Sequence, residues 1–86
     1  MQMNIYVGNL DFKVDGNDLK GIFEEYGVVS ASSIVTDKFS GRSKGFGFVT
    51  MENQNEALRA IGELNGAILE ERKMVVNEAR PKKTSY

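Results

Sequence analysis

The chain has 86 residues, enough for one small domain with a modest hydrophobic core. It contains neither cysteine nor histidine, which excludes disulfides, Cys/His metal sites and catalytic dyads or triads built on either residue. Hydrophobic residues make up 41% and charged residues 27%, an ordinary balance for a soluble globular protein, and the net charge is −1.

The first element in chain order is a predicted strand, Ile5 to Leu10, which is rich in β-branched and aromatic residues. Side chains alternate between the two faces of a strand, so Ile5 and Val7 share one face and Tyr6 lies on the other. The composition favours a strand in the centre of a sheet.

A first helix is predicted over residues 15–26. Asp15 can cap it, and Asp18 places a carboxylate in the first turn, where the helix dipole favours negative charge. Gly27 is expected to end the helix. Its apolar positions recur every three or four residues, the spacing of a core-facing stripe, and are Leu19, Ile22, Phe23 and Tyr26.

Two further strands form a predicted hairpin. Residues 28–36 favour a strand, but three serines make an edge position more suitable than a central one. Residues 37–43 turn the chain, and Gly41 supplies the permissive backbone. The strand from Lys44 to Met51 then returns beside the first.

That returning strand has an unusual distribution of side chains. By alternation, one face carries Lys44, Phe46, Phe48 and Thr50. The other face carries Gly45, Gly47, Val49 and Met51. A strand with one buried face normally groups its aromatic and aliphatic residues together, whereas here two Phe rings lie opposite the valine. The glycines leave room for close packing behind the rings.

A second helix is predicted over residues 52–65, with Asn53 as its cap and Glu56 at the capping-box position. Its apolar stripe is Ala57, Ala60, Ile61 and Leu64. Residues 67–72 favour a short irregular or hairpin segment. A last strand is expected over residues 74–79.

Strand, helix, strand, strand, helix, strand is therefore the predicted order. Two right-handed crossovers and one hairpin place the first and third strands in the middle of the sheet. We expect an α+β, ferredoxin-like βαββαβ fold, with a four-stranded antiparallel sheet and both helices on one face. The open face, away from the helices, should be polar.

Instead, Tyr6, Phe46 and Phe48 lie on that open face, with a basic residue at their edge. We call these three residues the aromatic platform, because nucleic-acid bases can stack on such a surface. Exposed apolar patches mark interaction sites. The alternative is that a C-terminal segment or a dimer partner buries these three rings. The end of the chain is short and polar, which favours an exposed platform and a monomer.

At these residues the chain resembles the RNA recognition motif family. The octamer Lys44–Met51 matches the pattern K/R-G-F/Y-G/A-F-V-x-F/Y except at its last position, where Met51 departs from it. The hexamer Ile5–Leu10 is similar to the companion motif. The resemblance implies the family's fold over residues 1–81, with a polar tail at 82–86 that we expect to be disordered. The chain looks most like the small one-motif proteins of bacteria and organelles and the glycine-rich RNA-binding proteins.

The resemblance also implies a binding function without enzymatic activity or a cofactor. In this family, the residues at the positions of Tyr6, Phe46 and Phe48 stack on bases or sugars, so the resemblance implies that role for these three residues. Lys44 and Arg42 are candidate phosphate contacts, Asn77 can read a base edge, and Arg80 can hold the nucleic-acid backbone. Weaker candidates, from alternation alone, are Asn4, Ser33 and Val35.

The distribution of charge is compatible with a polyanionic partner. Acidic residues dominate the two helical segments, and basic residues dominate residues 37–44 and 72–86. The expected partner is single-stranded RNA, with single-stranded DNA as a further candidate; duplexes are disfavoured because stacking needs splayed bases. Neither a membrane helix nor a signal peptide is evident. We expect no membrane partner and a cytoplasmic or organellar location, or a nuclear one in a eukaryote.

Two alternatives remain from other classes. An acylphosphatase-like enzyme would need an anion-binding loop with an arginine after the first strand, but residues 8–16 offer only Asn9 and Lys13. A protein-interaction module on the same fold typically lacks the sheet aromatics and binds peptide on a helix face. The aromatic platform opposes this second alternative, while the acidic helices leave it open as an additional role.

Overall fold

A computed structural model describes residues 2–79 of the chain. The strands are β1 (Met3–Gly8), β2 (Val29–Thr36), β3 (Ser43–Met51), β4 (Ile68–Leu69), β5 (Arg72–Lys73) and β6 (Val75–Glu78). The helices are α1 (Gly16–Glu24) and α2 (Gln54–Leu64). Within these residues, neither helix combines the length and the apolar character needed to cross a membrane.

The main sheet is antiparallel and has the strand order β2-β3-β1-β6. The first and third strands are therefore central and β2 is at an edge, which confirms the ferredoxin-like arrangement predicted from the sequence. β4 and β5 pair with each other in a small separate hairpin between α2 and β6, the hairpin that the sequence allowed for this segment.

Both helices cover the same face of the sheet, and the core lies between them. Side chains from β1, β3 and β6 that point to the helices are fully buried, and these are Ile5, Val7, Val49, Met51 and Val76. They pack in one cluster with the helical stripe residues Leu19, Phe23, Ala57, Ala60 and Leu64. The departure at Met51 from the family pattern therefore concerns the core and not the open face.

Local capping explains where the helices begin. The Asp15 carboxylate accepts from the Asp18 backbone N–H at 2.8 Å, and the Asp18 carboxylate accepts from the Asp15 N–H at 3.1 Å. This reciprocal pair is a complete capping box. At α2, the side-chain oxygen of Asn53 accepts from the Glu56 N–H at 3.0 Å, which confirms the predicted cap.

The end of α1 differs from the prediction, since the last helical residue is Glu24 and Gly27 does not end the helix. The Tyr26 N–H donates to the Phe23 carbonyl at 3.0 Å, so the chain tightens into a turn after Glu24. Tyr26 still packs against the core. Gly27 instead lies against the Glu56 side chain, where an added Cβ would collide with the carboxylate.

Candidate nucleic-acid interface

One row of side chains crosses all four strands of the open face. Phe48 of β3 is opposite Ser33 of β2 and Tyr6 of β1, and Tyr6 is in turn opposite Asn77 of β6. Residues directly opposite in antiparallel strands share a face. Three strand spacings make this row about 14 Å wide. The sheet therefore brings together four candidates from four separate parts of the chain.

The three rings of the aromatic platform lie in mutual contact. The Tyr6 and Phe46 centroids are 5.8 Å apart, those of Tyr6 and Phe48 are 5.9 Å apart, and those of Phe46 and Phe48 are 6.2 Å apart. The two Phe rings are nearly perpendicular, at 88°. Such edge-to-face pairs are favourable, so the rings hold each other in place. Phe48 is 38% exposed, and the other two rings are half-buried.

Gly8 determines where the Tyr6 ring lies. A Cβ at Gly8 would collide with the ring atoms and hydroxyl of Tyr6, so the ring extends along β1 over the glycine backbone. In this position it reaches Phe46 as well as Phe48. Sequence reasoning did not assign Gly8 a role; its separation of two residues from Tyr6, on the same face of one strand, was the available signal.

The two glycines of the octamer serve different purposes. Gly47 provides close approach, because a Cβ there would collide with the β2 backbone at Ser33 and Ile34. Gly45 adopts a backbone conformation that favours glycine, since its φ of +86° is in the left-handed region. The predicted close packing therefore applies to Gly47, which allows the adjacent strand β2 to approach β3 closely.

A bulge at Gly45 interrupts the alternation on which the position of Lys44 was based. Ile34 pairs with Gly47 and Thr36 with Ser43, so three residues of β3 lie opposite the single residue Val35. Alternation no longer determines which way Lys44 points, although its side chain is exposed. Val35 is half-buried opposite the bulge, which separates it from the row that contains Phe48.

Asn4 and Thr50 are opposite each other at the next position along the open face. The Thr50 hydroxyl donates to the side-chain oxygen of Asn4 at 2.8 Å. The side-chain oxygen of Asn4 is therefore engaged within the sheet. Beside it, the Ala79 N–H donates to the Asn4 carbonyl at 2.8 Å. Arg80, the remaining predicted backbone contact, lies outside the described residues, as does the tail at 82–86.

Positive charge lies at the end of the sheet where β2 turns into β3. We call Lys38, Arg42 and Lys44 the hairpin cations, and all three are exposed. Within residues 2–79, the ion pairs are both on helices, Lys20 with Glu24 at 3.9 Å and Arg59 with Glu63 at 3.2 Å. No carboxylate of the described chain therefore pairs with the hairpin cations, so they can attract phosphate.

The loop after β1 has a structural role. Asn9 has a φ of +58°; its side-chain NH₂ donates to the Lys73 carbonyl at 2.6 Å, and its side-chain oxygen accepts from the Arg72 guanidinium at 3.1 Å. Its amide therefore ties the end of β1 to the β4–β5 hairpin.

A ferredoxin-like sheet with three contacting aromatic rings on its open face is the arrangement typical of modules that bind single-stranded nucleic acid. The sequence profile of one family, the RNA recognition motif, matches residues 5–75. The chain belongs to this RNA recognition motif family.

Known structures and relatives agree with that assignment. The crystal structure of RNA binding protein PG1 is 50% identical, with a TM-score of 0.89, and the match covers 93% of this chain and 99% of that one. RbpE of the cyanobacterium Nostoc sp. is 46% identical over 80 residues, which are 93% of this chain and 81% of RbpE. The chloroplast RNA-binding protein CP31B of Arabidopsis thaliana is 49% identical over 75 residues, 87% of this chain.

The relatives differ in length. The match covers 26% of CP31B, and between 22% and 35% of three other chloroplast ribonucleoproteins. The chain thus spans about a third or less of these chloroplast relatives, and about four fifths of RbpE.

Proposed function

We propose that this chain binds single-stranded RNA on the open face of its sheet and acts in post-transcriptional RNA handling. The observation that carries the proposal is the aromatic platform, three rings within 6.2 Å of one another on the face that the helices leave uncovered. Membership of the RNA recognition motif family supports it, as do relatives that are named as ribonucleoproteins and RNA-binding proteins.

Each candidate residue has a role in this proposal. The bases stack on the three rings of the aromatic platform, at about 1–3 kcal/mol per stacked base. Lys44 and Arg42 contact phosphates, Asn77 and Asn4 present amides to base edges, and Arg80 holds the nucleic-acid backbone. The rings are spread over an open surface, so they favour unpaired bases over a duplex.

The proposal extends to the organisation of the molecule. Residues 1–81 form the binding domain and residues 82–86 a polar tail, and the chain acts as a monomeric binder and not as an enzyme. Single-stranded DNA is a second ligand, because stacking does not require a 2′-hydroxyl. Chloroplast and cyanobacterial relatives support a location in a bacterial cytoplasm or an organelle; a nuclear location applies to a eukaryotic host.

The test is an NMR titration of isotope-labelled protein with a pool of short random RNA. We expect backbone amide shifts at residues 4–8, 44–50 and 75–79, the segments that form the open face. A matched titration with duplex RNA should leave these amides unchanged. Shifts confined to residues 16–24 and 54–64 would contradict the proposal, and would favour the protein-interaction alternative on the helices.

A further inference from the structure

Phe39 is the most exposed large hydrophobic residue of the described chain. It lies at the tip of the β2–β3 hairpin and is 98% exposed. Sequence reasoning treated it as part of a turn, because no periodicity applies to a single residue in a loop. A single exposed hydrophobic side chain is common on protein surfaces, so the case for a binding role comes from the loop that holds Phe39 and from the residues around it.

The loop that carries Phe39 is held by its own hydrogen bonds. One carboxylate oxygen of Asp37 accepts from the Phe39 N–H at 2.8 Å and from the Ser40 N–H at 3.0 Å. The Gly41 N–H donates to the Asp37 carbonyl at 2.9 Å, and the Asp37 N–H donates to the Arg42 carbonyl at 2.8 Å. The backbone N–H groups of Ser40 and Phe39 hold the pKa of the Asp37 carboxyl below its usual value. The backbone under the Phe39 ring is thus pre-organised, which reduces the entropy that binding costs.

The neighbours of Phe39 are cationic. Lys38 precedes it, Arg42 follows at the other side of the loop, and both are exposed. Continuing along β3, Lys44 and then Phe46 connect this loop to the aromatic platform. An aromatic ring between cations is the combination that holds single-stranded nucleic acid, since the ring stacks on a base and the cations contact phosphates.

We propose that Phe39 is a fourth stacking position, which holds a base of the same RNA strand beyond those on the sheet. Lys38 and Arg42 contact the phosphates on either side of that base. This inference rests on the proposed function, and it enlarges the footprint of the RNA from the sheet to the tip of the hairpin. It predicts that affinity rises when the RNA is long enough to reach Phe39.

The chain contains no tryptophan, so the variant Phe39→Trp introduces a single fluorophore at the tip. We would titrate it with an RNA of about four nucleotides and one of about ten, within the range of single-strand site sizes. The longer RNA should quench the tryptophan by stacking and the shorter one should not. Phe39→Ala should weaken binding of the longer RNA by about 5-fold or more and leave the shorter one unchanged.

Phe12→Ala is the matched control, because Phe12 is 74% exposed on the neighbouring loop but lies between Asp11 and Lys13. It should leave both affinities unchanged, and an equal loss in Phe12→Ala and Phe39→Ala would overturn the special role of Phe39. Phe48→Ala tests the sheet, and should weaken both RNA lengths. If Phe48→Ala does so while the longer RNA leaves the tryptophan emission unchanged, the fourth position is wrong and the proposed function stands.

Two further outcomes also count against the inference. If neither RNA binds wild-type protein, the proposed function fails and the inference fails with it. If Phe39→Ala leaves RNA affinity unchanged but abolishes self-association measured by light scattering, the hairpin tip is a protein contact and the fourth stacking position is wrong.

Discussion

The two faces of the sheet both carry large apolar side chains, and they differ in what those side chains contact. On the covered face, Ile5, Val7 and Val49 are fully buried under the helices. On the open face, Tyr6, Phe46 and Phe48 contact one another and retain exposure to solvent. The same strands, β1 and β3, supply both sets by alternation.

This difference shows how one small sheet separates stability from binding. Burial against the helices removes apolar area from water and stabilises the fold. The rings of the open face gain less from folding, because part of their surface stays wet, and that remaining surface is what a base can cover. Substitutions on the two faces should therefore change different measured quantities.

The largest expected effect is a loss of stability when a residue buried on the covered face is truncated. Phe23 is fully buried between α1 and the sheet, so Phe23→Ala should lower the free energy of unfolding by about 3–5 kcal/mol through lost burial and the cavity left behind. Denaturant unfolding followed by circular dichroism measures this loss. Phe48→Ala is the comparison, and an equal loss in that variant would contradict the separation of the two faces.

The next largest effect is a loss of RNA affinity when a ring on the open face is removed. Phe46→Ala and Phe48→Ala should each weaken RNA binding by about 1–3 kcal/mol and leave the fold intact, because each removes a stacking surface. Fluorescence anisotropy with a labelled RNA measures the affinity. Leu58→Ala is the control, since Leu58 is an exposed apolar residue on α2 and should have no effect on affinity. Unchanged affinity in both Phe variants would refute stacking on the platform.

A smaller effect should follow from Gly8→Ala, which moves the Tyr6 ring without removing it. The new methyl group occupies the place of the ring, so Tyr6 must turn away from Phe46 and binding should weaken by about 0.5–1 kcal/mol. The affinity of Gly8→Ala, Tyr6→Ala and the double variant completes a thermodynamic cycle. Gly8→Ala should have no further effect once Tyr6 is alanine; an additive loss would show that Gly8 acts by another route.

The smallest effect concerns the hairpin cations. Arg42→Ala and Lys44→Ala should weaken binding to all RNA sequences alike, and each should reduce the slope of log affinity against log salt by about 1. Affinities measured over a series of salt concentrations give this slope. Lys20→Ala on α1, where Lys20 pairs with Glu24, should leave the slope unchanged. A loss confined to one RNA sequence would point to base recognition instead of phosphate contact.

Much of the fold could be predicted from local patterns. The caps at Asp15 and Asn53 are short-range hydrogen bonds, so the residue types at fixed spacing were sufficient. The apolar stripes and the sheet order follow from periodicity and the handedness of crossovers. The end of α1 differed from the prediction, since the helix ends at Glu24 and Gly27 lies against the side chain of Glu56, a residue distant in sequence.

The candidate site divides in the same way. Its three rings were predictable, since alternation along β1 and β3 depends only on the strand backbone. The engagement of Asn4 by Thr50 and the bulge at Gly45 were not predictable. Each depends on how a side chain or strand meets a neighbour in space.

By itself, the sequence determined the order of elements, the face on which each strand residue lies and the family to which the chain belongs. Only the tertiary structure decided the register that aligns Ser33, Phe48, Tyr6 and Asn77 in one row. It also decided the exposure of Phe39 on a hydrogen-bonded loop. The physical reason is that periodicity and capping act within a few residues, whereas register and exposure depend on packing between segments far apart in the chain.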